Sequence, residues 1–267
     1  MIETHITNLR HADPDVRYNA AQELGKLGDA RAVDALVAVL PDTDDKVQYA
    51  AVSSLVKIGD SRAAEPLIAN LIDNLESRVW GLMKLNIGMR LRHGLLDLLP
   101  RGDELLLAKL HMALGDAPLD AHQRAFFTRA LGRAGSASEI DPLMATLRHA
   151  ADDVRVAAVE ALGWIGDASA AGMLLTLLHD RNEQVREVSV EALGRLGDPR
   201  AVDPVIGMLK DRSEWVRRAA AEALGALGDP RALDPLGEAL HDEDEMVQDA
   251  AFDAIKQLST DHFTTVL

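Results

Sequence analysis

The residues of this chain best suited to proton transfer or metal ligation are nine histidines: His5, His11, His93, His111, His122, His149, His179, His241 and His262. Their spacing supports neither task. No His-Glu-x-x-His occurs and no histidine is directly followed by glutamate. Several fall in the last turn of a predicted helix or just beyond it, where a cation complements the helix dipole. The chain contains no cysteine, which excludes disulfides, thiolate catalysis and cysteine-ligated metal or iron–sulfur centres. Each Gly-x-x-Gly follows a predicted helix and no strand, so no phosphate-binding loop is expected. The residue types thus predict no catalytic group, no metal and no cofactor, and leave binding as the chemistry to place.

The elements that position these residues are legible as an internal repeat. Segments resembling Val216-Arg217-Arg218-Ala219-Ala220-Ala221-Glu222-Ala223-Leu224-Gly225-Ala226-Leu227-Gly228-Asp229 begin at Val16, Val47, Val154, Val185, Val216 and Val247, with a weaker one near Gln123. The step is 31 residues from 16 to 47 and throughout 123 to 247. The 76 residues between 47 and 123 hold one ordinary repeat and one stretched to 45. Counting the valine as position 0, apolar residues recur at positions 0, 4, 8 and 11, one stripe of an α-helix. A second apolar pattern follows, as in Ala201, Val202, Val205, Ile206 and Leu209. Gly-Asp-Pro-Arg stands between the two, at Gly197–Arg200 and Gly228–Arg231. Glycine can close the first helix in the left-handed region, and Asp198 and Asp229 can cap the next. Pro199 and Pro230 then fall at a first helical position, where no N–H is missed. Each repeat therefore predicts two antiparallel helices of about 10 to 13 residues, with turns near Gly28, Gly59, Gly135, Gly166, Gly197 and Gly228 and no strand.

This pattern resembles the HEAT family, specifically the short HEAT-like repeats named after phycobilisome lyases. Asp180 with Val185-Arg186 and Asp211 with Val216-Arg217 match the family's turn aspartate and Val-Arg. At Asp42 and Asp242 the aspartate is present, but Gln48 and Gln248 replace the arginine. His11 and His149 stand in the aspartate's place ahead of Arg17 and Arg155. The resemblance implies an all-α, right-handed α-solenoid of about eight two-helix repeats, one of them irregular. It covers nearly the whole chain except about Leu91 to Gly102, and residues 1–267 are expected to form one repeat domain, with the irregular repeat or insertion at about 74–120 and a frayed tail at 259–267. It also implies that the Asp and Arg residues form a structural ladder between turns, and that the second helices line a concave face. Deoxyhypusine hydroxylase, a HEAT-like enzyme, binds iron through paired His-Glu motifs, and this sequence has none.

With the core at positions 0, 4, 8 and 11, the outward face of a second helix comprises −1, 2, 6 and 10. Tyr18 and Tyr49 fall at 2, Trp164 at 10 and Trp215 at −1, while Trp80 takes the arginine position of the irregular repeat. Large aromatics on rigid helices suit a binding surface. The same face carries Lys26, Lys57, Arg129 and Arg133 in the first, second and fourth repeats. In the fifth to eighth it carries Glu160, Glu187, Glu191, Glu222, Asp249 and Asp253 against Arg195 and Arg218. The stretch Asn86–Gly102 reads as an insertion of about 14 residues, whose Arg90, Arg92, His93 and Arg101 suit an acidic partner or a phosphate.

The expected function is a non-catalytic protein-interaction scaffold that binds along the concave face. A bilin-lyase-like, chromophore-handling protein is the alternative the resemblance offers, favoured by the tyrosines at position 2. An alkylpurine-type DNA glycosylase needs a basic groove and this one is mixed. A net charge of −15 opposes phosphate backbones, so general nucleic-acid binding is not expected. Met1–Arg10 has no apolar run and nothing approaches a membrane span, so a cytoplasmic protein with protein partners is expected.

Overall fold

The junctions between helices follow from a few residues each. Gly197 (φ 65°) and Gly228 (φ 71°) close their helices in the left-handed region, each N–H bonding the carbonyl four residues back. The aspartate that follows accepts a backbone N–H two residues on, Asp29 from Arg31, Asp198 from Arg200 and Asp229 from Arg231. That bond opens a three-residue 3-10 turn leading into the next helix. Gly135 departs from the pattern: its φ of −81° and ψ of 179° are extended, and Ser136 makes no side-chain cap.

The computed structural model describes residues 1–74 and 89–264, and among them there is no strand. The chain forms two compact units, Met1–Gly135 and Ser136–Leu267. In the first, α1 (Ile2–Asn8) pairs with α2 (Pro14–Leu27) and α3 (Val33–Val37) with α4 (Asp45–Ile58). Next come α5 (Ala64–Asp73) and α6 (Met89–Asp97), then the pair α7 (Glu104–Asp116) and α8 (Ala121–Ala134). In the second unit the pairs are α9 (Ile140–Thr146) with α10 (Asp152–Ile165) and α11 (Ala171–Leu177) with α12 (Glu183–Leu196). They continue with α13 (Val202–Met208) and α14 (Glu214–Leu227), then α15 (Leu233–Ala239) and α16 (Glu245–Thr264). Each unit is thus an α-solenoid of stacked helix pairs. Most second helices have 14 residues, whereas several first helices have seven after their 3-10 turn, shorter than the spacing predicted.

Neighbouring pairs touch mainly through their second helices, α2 on α4, α10 on α12, α12 on α14 and α14 on α16. The approach is close because glycine recurs at position 9 opposite a small residue at position 7 of the next helix. A Cβ on Gly163 would lie 3.1 Å from Ala192 Cβ, one on Gly194 2.9 Å from Ala223 Cβ, and one on Gly225 3.1 Å from Ala254 Cβ. Gly25 faces Ser54 in the same way, and the Ser54 hydroxyl donates to the Ala21 carbonyl at 2.8 Å. Being flanked on both sides, second helices bury far more than one stripe: in α14, positions 0, 1, 3, 4, 5, 7, 8 and 9 are all buried. Position 11, just before the capping glycine, is the part of the predicted stripe that emerges, and Leu27 there is 44% exposed.

Within the stretch that reads as an insertion, Asn86–Gly88 lie outside the described residues, and Met89–Asp97 forms α6, which packs on both α4 and α8. Leu91, Leu95, Leu96, Leu98 and Leu99 are buried, and Gly94 gives way to Val56 of α4. Here the glycine and the larger residue have changed sides, which hides the repeat from a reading by position. Of the tail at 259–267, residues 259–264 continue α16 and 265–267 lie outside the described residues.

The glycine contact decides the sign of a substitution. Gly194→Ala is expected to destabilise by about 1–3 kcal/mol through overpacking against Ala223, although alanine is the better helix former by about 1 kcal/mol. Gly237→Ala in α15, where a Cβ meets nothing within 4 Å, is expected to stabilise by about 0.5–1 kcal/mol. Leu193→Ala should cost about 2–5 kcal/mol and Glu191→Ala no more than about 0.5 kcal/mol. Urea melts of the four variants check this ranking, and equal losses for Leu193→Ala and Glu191→Ala would show the helix phase to be wrong.

Candidate partner-binding surface

The recurrent charges are engaged inside the fold. Arg17 grips Asp42 with two hydrogen bonds of 2.7 and 2.8 Å, and its third nitrogen donates to the carbonyls of His11 and Ala12 in its own turn. The same bidentate grip joins Arg155 to Asp180, Arg186 to Asp211 and Arg217 to Asp242, at 2.7–3.0 Å. Each aspartate also accepts the backbone N–H two residues on, so it shapes its own turn while holding the preceding repeat. Gln48 and Gln248 keep only the local half, donating at 2.6 Å to the carbonyls of Asp42 and Asp242. His11 and His149 keep the turn half of the aspartate's work: their Nδ1 atoms accept from Asp13 and Ala151 N–H at 3.0 and 3.1 Å. A neutral imidazole can bond the turn but brings no carboxylate to grip a second arginine.

The outward faces of the second helices hold most of the residues singled out as partner-binding. Tyr18 and Tyr49 occupy the same register on α2 and α4 and are half-buried, with the Tyr18 hydroxyl accepting from Gln22 at 2.6 Å. Lys26 and Lys57 are exposed at the ends of these helices, and Lys26 pairs with Glu23 at 2.7 Å. Arg129 and Arg133 of α8 are half-buried, the latter 3.1 Å from Asp97 of α6. Arg92, on α6, is also half-buried, and Trp80 lies outside the described residues. Asp15, at position −1 of the first repeat, shows that the basic face of this unit includes an acid.

In the second unit, Trp164 is half-buried near the end of α10 and Trp215 is 41% exposed at the start of α14. The Arg218 guanidinium lies over the Trp215 ring, 5.4 Å from its centroid, and 3.5 Å from Glu222. Arg195 pairs with Glu191 at 2.8 Å. Burial, then the nearby Glu191, hold the Glu187 carboxyl above its ordinary value, with Arg218 pulling the other way. The acidity belongs to this unit: residues 136–267 contain 25 Asp and Glu against 12 Lys and Arg, whereas 1–135 contain 18 against 16. Periodicity alone missed Met246 and Phe252 of α16, which are 39% and 61% exposed. Met246 stands in Trp215's register, and Phe252 in a register that Val190 and Ala221 bury. No group of histidine, aspartate and glutamate among the described residues is placed to hold a metal ion, and no described helix is long and apolar enough to cross a membrane.

Stacked helix pairs with close second-helix contacts and an Arg–Asp ladder define a repeat solenoid. The family model for HEAT repeats matches residues 2–80, 107–184 and 172–256, and the chain belongs to that family. Comparison with curated proteins finds no match. Solved structures resemble it at low identity. YibA of E. coli is 19% identical over 95% of this chain and 92% of its own, with a TM-score of 0.52. Kap95p, in its complex with RanGDP, is 14% identical over 97% of this chain and 45% of its own, with a TM-score of 0.53. The CpcE–CpcF complex of phycocyanin lyase from Nostoc sp. PCC7120 is 20% identical over 97% and 94%, with a TM-score of 0.46. At these identities the likeness concerns the fold.

The ladder makes two quantities measurable. Arg186→Ala leaves the part-buried Asp211 without its partner and is expected to cost about 3 kcal/mol, whereas Arg186→Gln, which can keep the local bond as Gln48 does, should cost less. Hydrogen bonds from Arg17 and Arg217 hold Asp42 and Asp242 below the ordinary carboxylate value, and Arg31 brings Asp29 to about 2. A carboxylate that binds its proton less tightly when folded stabilises the fold above its unfolded value and loses that contribution as pH falls through the folded one. Stability measured by urea melts should therefore hold from neutral pH down to about 5 and fall from about 4 towards 2. The slope should be shallower in Asp29→Asn.

Proposed function

We propose that the chain is a non-catalytic interaction scaffold that captures a protein partner along the outward faces of its second helices, the concave side that the HEAT resemblance implies. The observation that carries this reading is the distribution of aromatics. Every Tyr, Trp and Phe whose side chain is described lies on a second helix, and Tyr18, Tyr49, Trp164 and Trp215 reach the outward face. A rigid aromatic on a rigid helix loses little entropy on binding and can serve as an anchor. The recurring polar residues, by contrast, are engaged in the ladder. The 31-residue period with its turn aspartate and Val-Arg supports the short repeats named after phycobilisome lyases, and the cytoplasm is the proposed compartment.

A second reading, a chromophore-handling protein, rests on Tyr18 and Tyr49 standing half-buried at one register of adjacent helices. Bound pigment would be seen as visible absorbance that co-purifies with the wild type and is lost in Tyr18→Ala and Tyr49→Ala.

Capture from native lysate tests the scaffold reading. Tyr18→Ala, Tyr49→Ala and Trp164→Ala are each expected to keep the wild-type unfolding free energy to within about 1 kcal/mol, and at least one should lose about 2 kcal/mol or more of affinity for the captured partner. Variants that all destabilise the fold while capture stays intact would place these aromatics in the core and overturn the proposal.

A further inference from the structure

At the end of the second unit, the outward faces of α14 and α16 enclose a shallow groove of about 340 Å³ lined by Glu222, Met246, Asp249, Asp253 and Gln257 over Ala250. Two observations distinguish it from an ordinary solvated face. An exposed apolar residue, Met246, lines it, and Trp215 occupies the same register one helix earlier, outside the lining, each about two-fifths exposed. Its charge is also of one sign. Glu222 is in ion-pair contact with Arg218, yet Asp249 and Asp253 are exposed on successive turns of α16. On the neighbouring α12, Glu187 is part-buried beside Glu183, Glu191 and Glu222, with Arg218 pulling the other way, while Glu191 itself pairs with Arg195. The whole unit holds about twice as many acids as bases. Glu222, Asp249 and Asp253 line the groove together, with Arg218 the cation paired to Glu222; like charges so placed repel, and a cationic partner relieves that repulsion.

We infer that this face takes a Lys- or Arg-containing protein segment whose apolar side chain packs against Met246 and Trp215 while its cations face Glu187, Glu222, Asp249 and Asp253. The inference rests on the scaffold reading and names the partner's chemistry at one part of that surface. A polyamine or a simple cation would satisfy the carboxylates but leave Trp215 and Met246 uncovered. An apolar peptide would bury those two and desolvate the acids with no compensation. A basic segment with an apolar anchor meets both demands, and the anchor confers affinity that salt does not screen.

The test uses the full chain and two fluorescein-labelled twelve-residue synthetic peptides, one with Arg and Lys around a central Leu, the other with Glu at each basic position. Fluorescence anisotropy near physiological salt is expected to show binding of the basic peptide alone. Asp249→Asn with Asp253→Asn should weaken it at least about tenfold, and Met246→Ala should weaken it several-fold at both low and high salt. Asp234→Asn with Glu238→Gln removes the same charge from exposed positions of α15 and should change binding by less than about twofold. No binding, or equal weakening by the α15 pair, would overturn the inference, the latter by showing diffuse attraction to an acidic unit. Self-association abolished by the Asp249 and Asp253 changes, with no peptide bound, would overturn it in favour of a second copy of the chain. If the peptide fails while Tyr49→Ala still loses the partner captured from lysate, the scaffold reading stands and only the occupant of this face is wrong.

Discussion

An arginine in the first turn of a second helix holds two turns at once, and much of the architecture depends on that grip. In Arg186 the outer edge of the guanidinium lies against Asp211 of the next repeat, while the remaining nitrogen reaches carbonyls of its own turn. Arginine is suited to this because its planar fork matches a carboxylate and still leaves a donor free, which lysine cannot reproduce. The grip sets the spacing of successive turns, and the spacing brings neighbouring second helices so close that only glycine fits opposite alanine, as at Gly194 and Ala223. The polar clamp and the steric contact specify the same register, and their agreement is what makes a repeat array stack in one way.

That arrangement also explains which parts of the molecule are available to a partner. Buried charge pairs are engaged on both sides, so the residues that recur most regularly are the least free to bind anything else. The irregular positions vary from repeat to repeat: an aromatic here, a lysine or an acid there, all on the face that the stacking leaves open. In residues 136–267 this face is predominantly acidic and ends in exposed Trp215 and Met246. In residues 1–135 the ladder is present at Arg17 and Asp42, and Gln48 and Arg124 bond only their own turns. Interface energy is concentrated in a few anchors and surrounded by neutral contacts; variation on a rigid frame can therefore change partner without changing fold.

The fold was legible because its determinants are local and repeated. Gly-Asp-Pro-Arg punctuation, the 31-residue period and the Val-Arg pair each depend on contacts within one repeat or its neighbour, so a short window contains them. The ladder was legible for the same reason, down to the histidines at 11 and 149, whose retained turn bonds explain why they are tolerated there. What escaped the sequence was relational. Gly94 sits on α6 opposite Val56, the reverse of the usual order, which hides the position of α6 in the repeat. Met246 and Phe252 are exposed at positions that periodicity does not mark, because periodicity does not say which side of a helix lacks a neighbour. Tyr18 and Tyr49 fall on the outward face by register, and how far each is exposed there, half-buried in both cases, is not given by register.

The separation of a holding network from a binding face can be measured directly by amide hydrogen exchange on the chain alone and saturated with the partner it captures. Stacked second helices should already exchange slowly, with the ladder turns protected to a similar degree in both states. The account predicts that binding adds protection along second helices, above all where Trp164, Trp215 or Tyr49 stand, and leaves the first helices α11, α13 and α15 unchanged. Added protection confined to those first helices would contradict it and place the binding surface on the opposite side of the repeats.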